Sequence, residues 1–411
     1  MSCSGEIVDK DEQLIQIKPN ISQQLKKAKY GVADHSTVEI CHWTKKSFRN
    51  EGSCYKHKFY GISTHRCMEF SPAGMHCENR CVYCWRPMEF YDSLKMDEEK
   101  VAEPKDIMTK LMEERRKLIV GHFGDPSQDK QKIEESLTPS HYAISLSGEP
   151  TMYPKLPDLI KYLKSLEATK SIFLVTNGQE PEMIQRLADE NALPTQLYLS
   201  TNASDYDSFL KINRPKYDDS WERWNKTLEM LADLDTRTVL RVTLIRNWND
   251  SKKMISGFKS IFEKSNAHFV ELKSYMHIGR STNRLEYENM VEMDDVRKFS
   301  EKIAHKSNSV KRVYVYMEEK QHMDLKVRLD YHSIGMSEFV RACSEALLVG
   351  HPIMEQFMDH YKEESPKHSK RNNKIAKKDR DTAERISADL GLNLDEIESI
   401  FDIIEEDHPE I

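Results

Sequence analysis

The segment Cys77-Glu78-Asn79-Arg80-Cys81-Val82-Tyr83-Cys84 is where soft donor atoms are densest in the chain. Thiols separated by three and then two residues can wrap one metal centre in a short loop. On a 4Fe–4S cube, three Cys ligands leave one iron open to a substrate or cofactor, whereas a fourth would make an electron-transfer site. The next cysteine along the chain is Cys343, so no fourth thiol is close in sequence. Zinc is the other fit, because it takes four donors and His76 can supply the last. Upstream, Cys41, Cys54 and Cys67 stand thirteen residues apart. That spacing is too wide for a local clip and by itself only hints at a second centre.

A second motif, Ser147-Gly148-Glu149-Pro150-Thr151, follows the apolar run 142–146. Glycine there permits close backbone approach, and a carboxylate can accept a charge-assisted hydrogen bond from an ammonium. Alone, it is an ordinary turn. Together, the cysteine loop, the aromatic Tyr83 before its last thiol and this Gly-Glu-Pro turn resemble the radical SAM superfamily. The resemblance implies a 4Fe–4S cluster on Cys77, Cys81 and Cys84 whose open iron chelates S-adenosylmethionine (SAM). It implies that SAM is cleaved to methionine and a 5′-deoxyadenosyl radical, which abstracts hydrogen. Tyr83, Gly148 and Glu149 are then cofactor-side residues. Thr176-Asn177-Gly178 and Ser200-Thr201-Asn202 also end expected strands, where ligands of parallel α/β folds bind. Thr176, Asn177, Ser200 and Asn202 are therefore candidate SAM contacts, with turn and cap chemistry as the alternative.

Elements able to hold these residues alternate between about 100 and 276. Helical patterns fall at 107–119, 156–166, 181–190, 221–234 and 253–262. β-Branched, aromatic or apolar runs fall at 141–146, 171–176, 196–201, 238–245 and 268–275, with an earlier strand at 68–71. Strand–helix alternation predicts parallel strands joined by crossover helices. About six units result, fewer than a full eightfold barrel. The fold expected is an α/β partial (β/α)6 parallel barrel of the radical SAM type, with an N-terminal cluster-binding extension and a helical C-terminal extension.

The division expected is a polar arm at 1–35, a core at 36–320 and an extension at 321–411. One more strand is expected at 313–317 and a helix over Met336–Leu348. A basic linker at 367–380 and an acidic helical tail at 382–411 follow. No run approaches the ~18 apolar residues of a membrane span, and the acidic, polar N-terminus is no secretory signal, so the chain reads as cytoplasmic. Its net charge of −7 argues against uniform nucleic-acid affinity. Yet residues 41–86 hold eight Lys or Arg against three Glu, an excess suited to an RNA backbone, with Arg214, Lys216, Arg280 and Arg284 as possible extensions.

Both Cys triplets with Cys84-Trp85-Arg86, together with Cys67-Met68-Glu69-Phe70-Ser71-Pro72, Asn213-Arg214-Pro215 and Glu271-Leu272-Lys273-Ser274-Tyr275, resemble the 4-demethylwyosine synthase family of tRNA modification over about residues 36–290. The resemblance implies a second 4Fe–4S cluster on Cys41, Cys54 and Cys67. It implies condensation of N1-methylguanosine at position 37 of tRNA(Phe) with two carbons of pyruvate, the carboxyl carbon being lost. Lys56 stands at the position of the family's proposed pyruvate lysine. A lysine amine forms a Schiff base with a ketone when its pKa is depressed; a phosphate contact or a solvated lysine is the alternative. Only about 40 residues precede Cys41, too few for the flavodoxin-like domain of many eukaryotic members. An external one-electron donor of ferredoxin or flavodoxin type is therefore expected. Two other readings fit the motifs: a radical SAM enzyme acting on a peptide or small molecule, and a non-catalytic metal-dependent RNA-binding protein.

Overall fold

Alternation along the strands decides which side of the sheet meets helices and which meets a ligand. The computed structural model describes residues 14–92, 95–304 and 336–364. The chain divides into two units, Met1–Val310 and Lys311–Ile411. The first is built on an eight-stranded sheet whose order follows the chain. Strands β1 (Tyr30–Ala33) and β2 (Ser36–Glu39) form a hairpin, and β2 runs antiparallel to β3 (Cys67–Ser71). From β3 onward every pairing is parallel: β4 (His141–Ile144), β5 (Ser171–Thr176), β6 (Gln196–Ser200), β7 (Arg237–Leu244) and β8 (Phe269–Ser274). These six parallel strands are the expected (β/α)6 set, and the sheet stays open at β8.

Crossover helices cover one face. They include α4 (Pro104–Val120), α6 (Leu156–Ser165), α7 (Pro181–Asp189), α9 (Ser220–Met230) and α10 (Ile255–Ser265). Helix α4 begins with Pro104 at its first position, where the missing N–H costs nothing, and buries Ile107, Leu111, Arg115 and Ile119 at helical spacing. Met68, Phe70, Ile144, Ile172, Leu174, Leu197, Leu199 and Leu240 form the helix-facing core with Ile107, Leu111 and Leu156. Because side chains alternate, the other face carries the residues between them. In register these are Glu69, Ala143, Phe173 and Gln196, then Val175, Tyr198, Val239 and Phe269, then Ser200, Arg241 and Glu271, and finally Thr243 and Lys273. Parallel sheets are normally apolar on both faces. This inner face becomes polar toward the C-terminal ends of its later strands.

The N-terminal expectation needs correction. Residues 1–35 do not all form an arm: Pro19–Lys27 is a helix (α1) that buries Ile21 and Leu25, and β1 follows it. Short helices α2 (His42–Phe48) and α3 (Tyr55–Tyr60) bridge the upstream cysteines. Helices α5 (Lys130–Ser136), α8 (Tyr206–Asn213) and α11 (Met293–Ala304) complete the unit. In the second unit Met336–Leu348 is helical as expected, followed by a helix at Pro352–Glu364. The expected strand at 313–317, the basic linker and the acidic tail lie outside the described residues. No described helix is long and apolar enough to cross a membrane.

Candidate active site

The downstream thiols sit on an irregular loop that leaves β3, and two neighbouring segments hold it. The Arg80 and Val82 N–H groups donate to Asn213 O and Ile212 O (both 2.9 Å), and Lys216 N–H donates to Glu78 O (2.9 Å). Residues 212–216, which include Asn213-Arg214-Pro215, thus lie zipped against the cysteine loop. On the other side Glu149 N–H donates to His76 O (2.7 Å), and Ser147 Oγ donates to Gly74 O (2.7 Å). Gly148 has φ +71°, and a Cβ there would run into the carbonyls of Ala73 and His76. Only glycine permits this approach.

Burial pushes the Cys81 thiol up to about 12, and pushes Cys77 and Cys84 upward as well. Thiolates so placed fit a metal cluster, which alone would hold them ionised. Beside them lie two buried carboxyl groups. Glu149 Oε1 accepts from the Thr151 hydroxyl (2.6 Å) and its Oε2 from Asn177 N–H (2.8 Å). Glu78 Oε2 accepts from Asn177 Nδ2 (3.1 Å), while Glu78 Oε1 is buried with no partner. Burial, with Glu149 adding repulsion, raises Glu78 to about 8. Two buried carboxyls and an orphaned oxygen fit a cationic ligand such as the ammonium of SAM.

The strand-end candidates divide. Asn177 is brought against Cys77 Sγ (3.7 Å), and Asn202 Nδ2 donates to the Tyr83 hydroxyl (2.6 Å). Thr176 Oγ1 accepts from Gly178 N–H (3.0 Å), which is the turn chemistry of the alternative reading. Ser200 lies on the inner face level with Arg241 and Glu271.

The upstream thiols converge as well. Cys41 caps α2, Cys54 caps α3 and Cys67 opens β3. Thr64 ties the first two segments together: its carbonyl accepts from Thr44 Oγ1 (3.2 Å) and its hydroxyl from Cys54 N–H (3.3 Å). Cys41 feels the charge of Cys54, Cys67 feels both, and burial raises Cys41 to about 11 and Cys67 to about 12. Lys56, one residue into α3, is buried on the inner face with its Nζ 4.0 Å from the Phe173 ring centre. Burial lowers its amine, with the Cys67 and Cys54 sulfurs acting against that shift.

Sequence reasoning missed Glu78 and the inner-face charges. Arg241 donates from Nη2 to the Tyr55 hydroxyl (2.8 Å) and pairs with Glu271 (3.1 Å). Arg241 and Lys273 were visible only as charges inside otherwise apolar strands. The basic excess also reads differently in three dimensions. Lys56 and Arg86 are buried, and Arg86 pairs with Glu39 (2.9 Å). Arg80 donates to Cys77 O and Tyr91 O. Arg284, expected as a surface cation, instead donates to Val82 O and Cys84 O and pairs with Glu89. Lys58, Arg214, Lys216 and Arg280 are exposed.

Comparison with known proteins agrees with this geometry. Residues 72–256 match the family model of the radical SAM superfamily, and residues 264–328 that of wyosine base formation. The S-adenosyl-L-methionine-dependent tRNA 4-demethylwyosine synthase of Pyrococcus abyssi is 39% identical over 292 residues, 70% of this chain and 84% of the relative. The enzyme of the same name from Methanocaldococcus jannaschii is 38% identical over 296 residues, 71% of this chain and 91% of the relative. A solved structure of TYW1 with a lysine–pyruvate adduct bound superposes with a TM-score of 0.62 at 36% identity, covering 71% of this chain and 91% of that one.

Proposed function

The chain belongs to the S-adenosyl-L-methionine-dependent tRNA 4-demethylwyosine synthases, and from that membership we propose that it builds 4-demethylwyosine from N1-methylguanosine at position 37 of tRNA(Phe) and two carbons of pyruvate. It is a radical SAM enzyme, and its family implies SAM and a 4Fe–4S cluster. When bound, that pair supplies a 5′-deoxyadenosyl radical. On our reading Cys77, Cys81 and Cys84 hold the cluster, and Glu149 and Glu78 present carboxylate oxygens to the SAM ammonium. Asn177 orients both carboxyls through its backbone N–H and side-chain amide. Asn202 fixes the Tyr83 ring by its hydroxyl, Ser200 completes the rim, and Thr176 shapes the turn that carries Asn177.

Cys41, Cys54 and Cys67 hold a second 4Fe–4S cluster on the same reading. Lys56 condenses with the pyruvate ketone, forming an imine and releasing water. The observation that carries this assignment is the placement of one buried amine on the inner face, beside the upstream thiols. The lysine–pyruvate adduct of the TYW1 structure supports it. Its lowered pKa keeps a fraction of the amine neutral and nucleophilic. Electrons come from a ferredoxin- or flavodoxin-type donor in the cytoplasm.

One anaerobic assay tests the whole. Reconstituted protein, tRNA(Phe) carrying N1-methylguanosine, pyruvate, SAM and dithionite should yield 5′-deoxyadenosine and a tRNA heavier by the added two-carbon unit. SAM cleavage without change in the tRNA, but with modification of a peptide or small molecule, would move the chain to another substrate class.

A further inference from the structure

Helix α1 has two unlike sides. Ile21 and Leu25 on its inner side belong to an apolar cluster with Tyr30, Met75 and Tyr91, and Cys77 and Cys84 pack against that cluster. The helix and two of the downstream thiols thus share one patch of apolar packing. The outer side is basic. Lys18, Lys26, Lys27 and Lys29 are exposed, residues 14–33 include no Asp or Glu, and none of these lysines makes an ion pair among the described residues. Between α1 and the cysteine loop lies a groove of about 500 Å³, lined by Leu25, Tyr30, Trp85, Pro87, Phe90 and Arg280. Trp85 and Phe90 are exposed in it. Trp85 follows Cys84 directly, and its carbonyl accepts from Arg280 N–H (3.0 Å). The Arg280 guanidinium reaches across to Gln24 Oε1 on α1 (3.5 Å). The neighbouring acids are engaged elsewhere, Glu39 with Arg86 (2.9 Å) and Glu89 with Arg284 (2.5 Å).

An exposed apolar groove inside a rim of charge is the anatomy of a protein docking surface. In a chain of net charge −7, an acid-free stretch of lysines beside it is complementary to an acidic partner. What the groove adjoins says which partner. It opens at Trp85, next to a downstream thiol, on the side where α1 packs. The groups read as SAM contacts, Glu149 and Asn177, reach the cysteine loop from the ends of β4 and β5 instead. The α1 side is therefore free for an electron donor while the reactants occupy the other. We propose that this groove docks the acidic one-electron carrier protein that reduces the cluster on Cys77, Cys81 and Cys84. The inference rests on the reading that an external protein donor supplies the electrons. One electron leaves the carrier, which is oxidised, and enters the cluster, which is reduced; no bond forms or breaks. RNA is the competing anionic partner. Of the polar lining residues, however, Gln24 and Glu39 are already engaged with Arg280 and Arg86. Splayed bases are recognised through their edges, and the apolar wall offers those edges little, whereas it fits the side chains of a protein.

Stopped-flow reduction of the anaerobic, cluster-loaded protein tests this, with bleaching of the cluster absorbance as the readout. The reductants are flavodoxin and ferredoxin, each reduced beforehand and freed of dithionite, and dithionite alone. The variant carries Lys26→Gln, Lys27→Gln and Lys29→Gln together, three exposed positions outside the catalytic machinery. With a protein donor at low salt, its second-order rate constant should be lower than that of wild type by at least roughly tenfold. The wild-type rate should fall steeply as salt rises, and the variant rate much less. Dithionite, which needs no docking surface, should reduce both alike, and tRNA affinity should be unchanged. Equal rates with the protein donors overturn the docking site and leave the donor reading standing. An equal loss with dithionite also overturns it, because the variant would then have disturbed the cluster itself. Weakened tRNA binding with unchanged reduction assigns the lysines to RNA and overturns it too. Wild type that dithionite reduces but neither protein reduces would sink the donor reading, and this inference with it.

Discussion

Glu78→Gln should weaken SAM binding and strengthen the fold at once. The Glu78 side chain is fully buried, one oxygen held by Asn177 at 3.1 Å and the other unpartnered. Glutamine keeps the volume, and its carbonyl can keep the Asn177 bond. It removes the charge and turns the orphaned acceptor into a donor. A hydrogen bond to a charged group contributes about 1.5–3 kcal/mol, so the SAM dissociation constant should rise roughly 10- to 150-fold. Without SAM, wild type buries two carboxyls that repel each other, and Glu149 is raised alongside Glu78. Replacing one of them with a neutral group of the same shape should stabilise the SAM-free protein by about 1–3 kcal/mol. That corresponds to a melting temperature higher by about 2–4 °C per kcal/mol. Equilibrium dialysis with labelled SAM on cluster-loaded protein reads the first effect, and anaerobic calorimetry at pH 8 the second. Unchanged SAM affinity would remove Glu78 from the cofactor site. Lower stability would mean that the pair is paired in some other way.

Three further outcomes follow from the same geometry. Replacing Cys77, Cys81 and Cys84 by Ala should abolish 5′-deoxyadenosine formation and leave one cluster, whereas replacing Cys41, Cys54 and Cys67 should remove about half of the eight irons of two 4Fe–4S clusters but leave some SAM cleavage; iron analysis and product chromatography check both. Lys56→Arg keeps the charge but cannot form an imine, so it should retain SAM cleavage and lose both tRNA product and trapped pyruvate; near-normal turnover would discard the covalent role. His35 accepts from Ala102 N–H (2.9 Å) and donates from Nδ1 to Pro72 O (2.5 Å), and burial lowers it from 6.5 to about 4. It is therefore neutral when folded, and its contribution, whole above pH 6.5, should fall by about 2 kcal/mol by pH 5. Thermal unfolding of wild type against His35→Gln should show that difference narrowing as pH falls; a constant gap would refute the shift.

Much of the scaffold was legible because its signals are local. β-Branched, aromatic or apolar runs marked β4 through β8, and helical spacing marked α4, α6, α7, α9 and α10. Cys77, Cys81 and Cys84 stood out as candidates by type and spacing, and Gly148-Glu149-Pro150 by its place after a strand, whereas Cys41, Cys54 and Cys67 became candidates only through the family resemblance. What stayed hidden is what depends on partners far along the chain. Helix α1 and β1 look polar in sequence because only Ile17, Ile21, Leu25 and Tyr30 face inward. They fold by packing on Met75, Tyr91 and Leu146, residues that no local window brings together. Arg284 reads as a surface cation until the loop it holds is present, two hundred residues upstream.

Charge inside the sheet was the signal most easily passed over, and it separates a scaffold from a site. An interior sheet face tolerates charges such as Arg241 and Glu271 only where the burden of desolvation is met by partners. Arg241 and Glu271 meet it with each other and Tyr55, so as a pair they can be a fixed part of the interior. Glu78 Oε1 does not meet it among the described residues: it is buried with no partner. On our reading the ammonium of the cofactor completes that arrangement, so the oxygen the interior leaves unpaired marks a place for a ligand rather than a flaw in the scaffold.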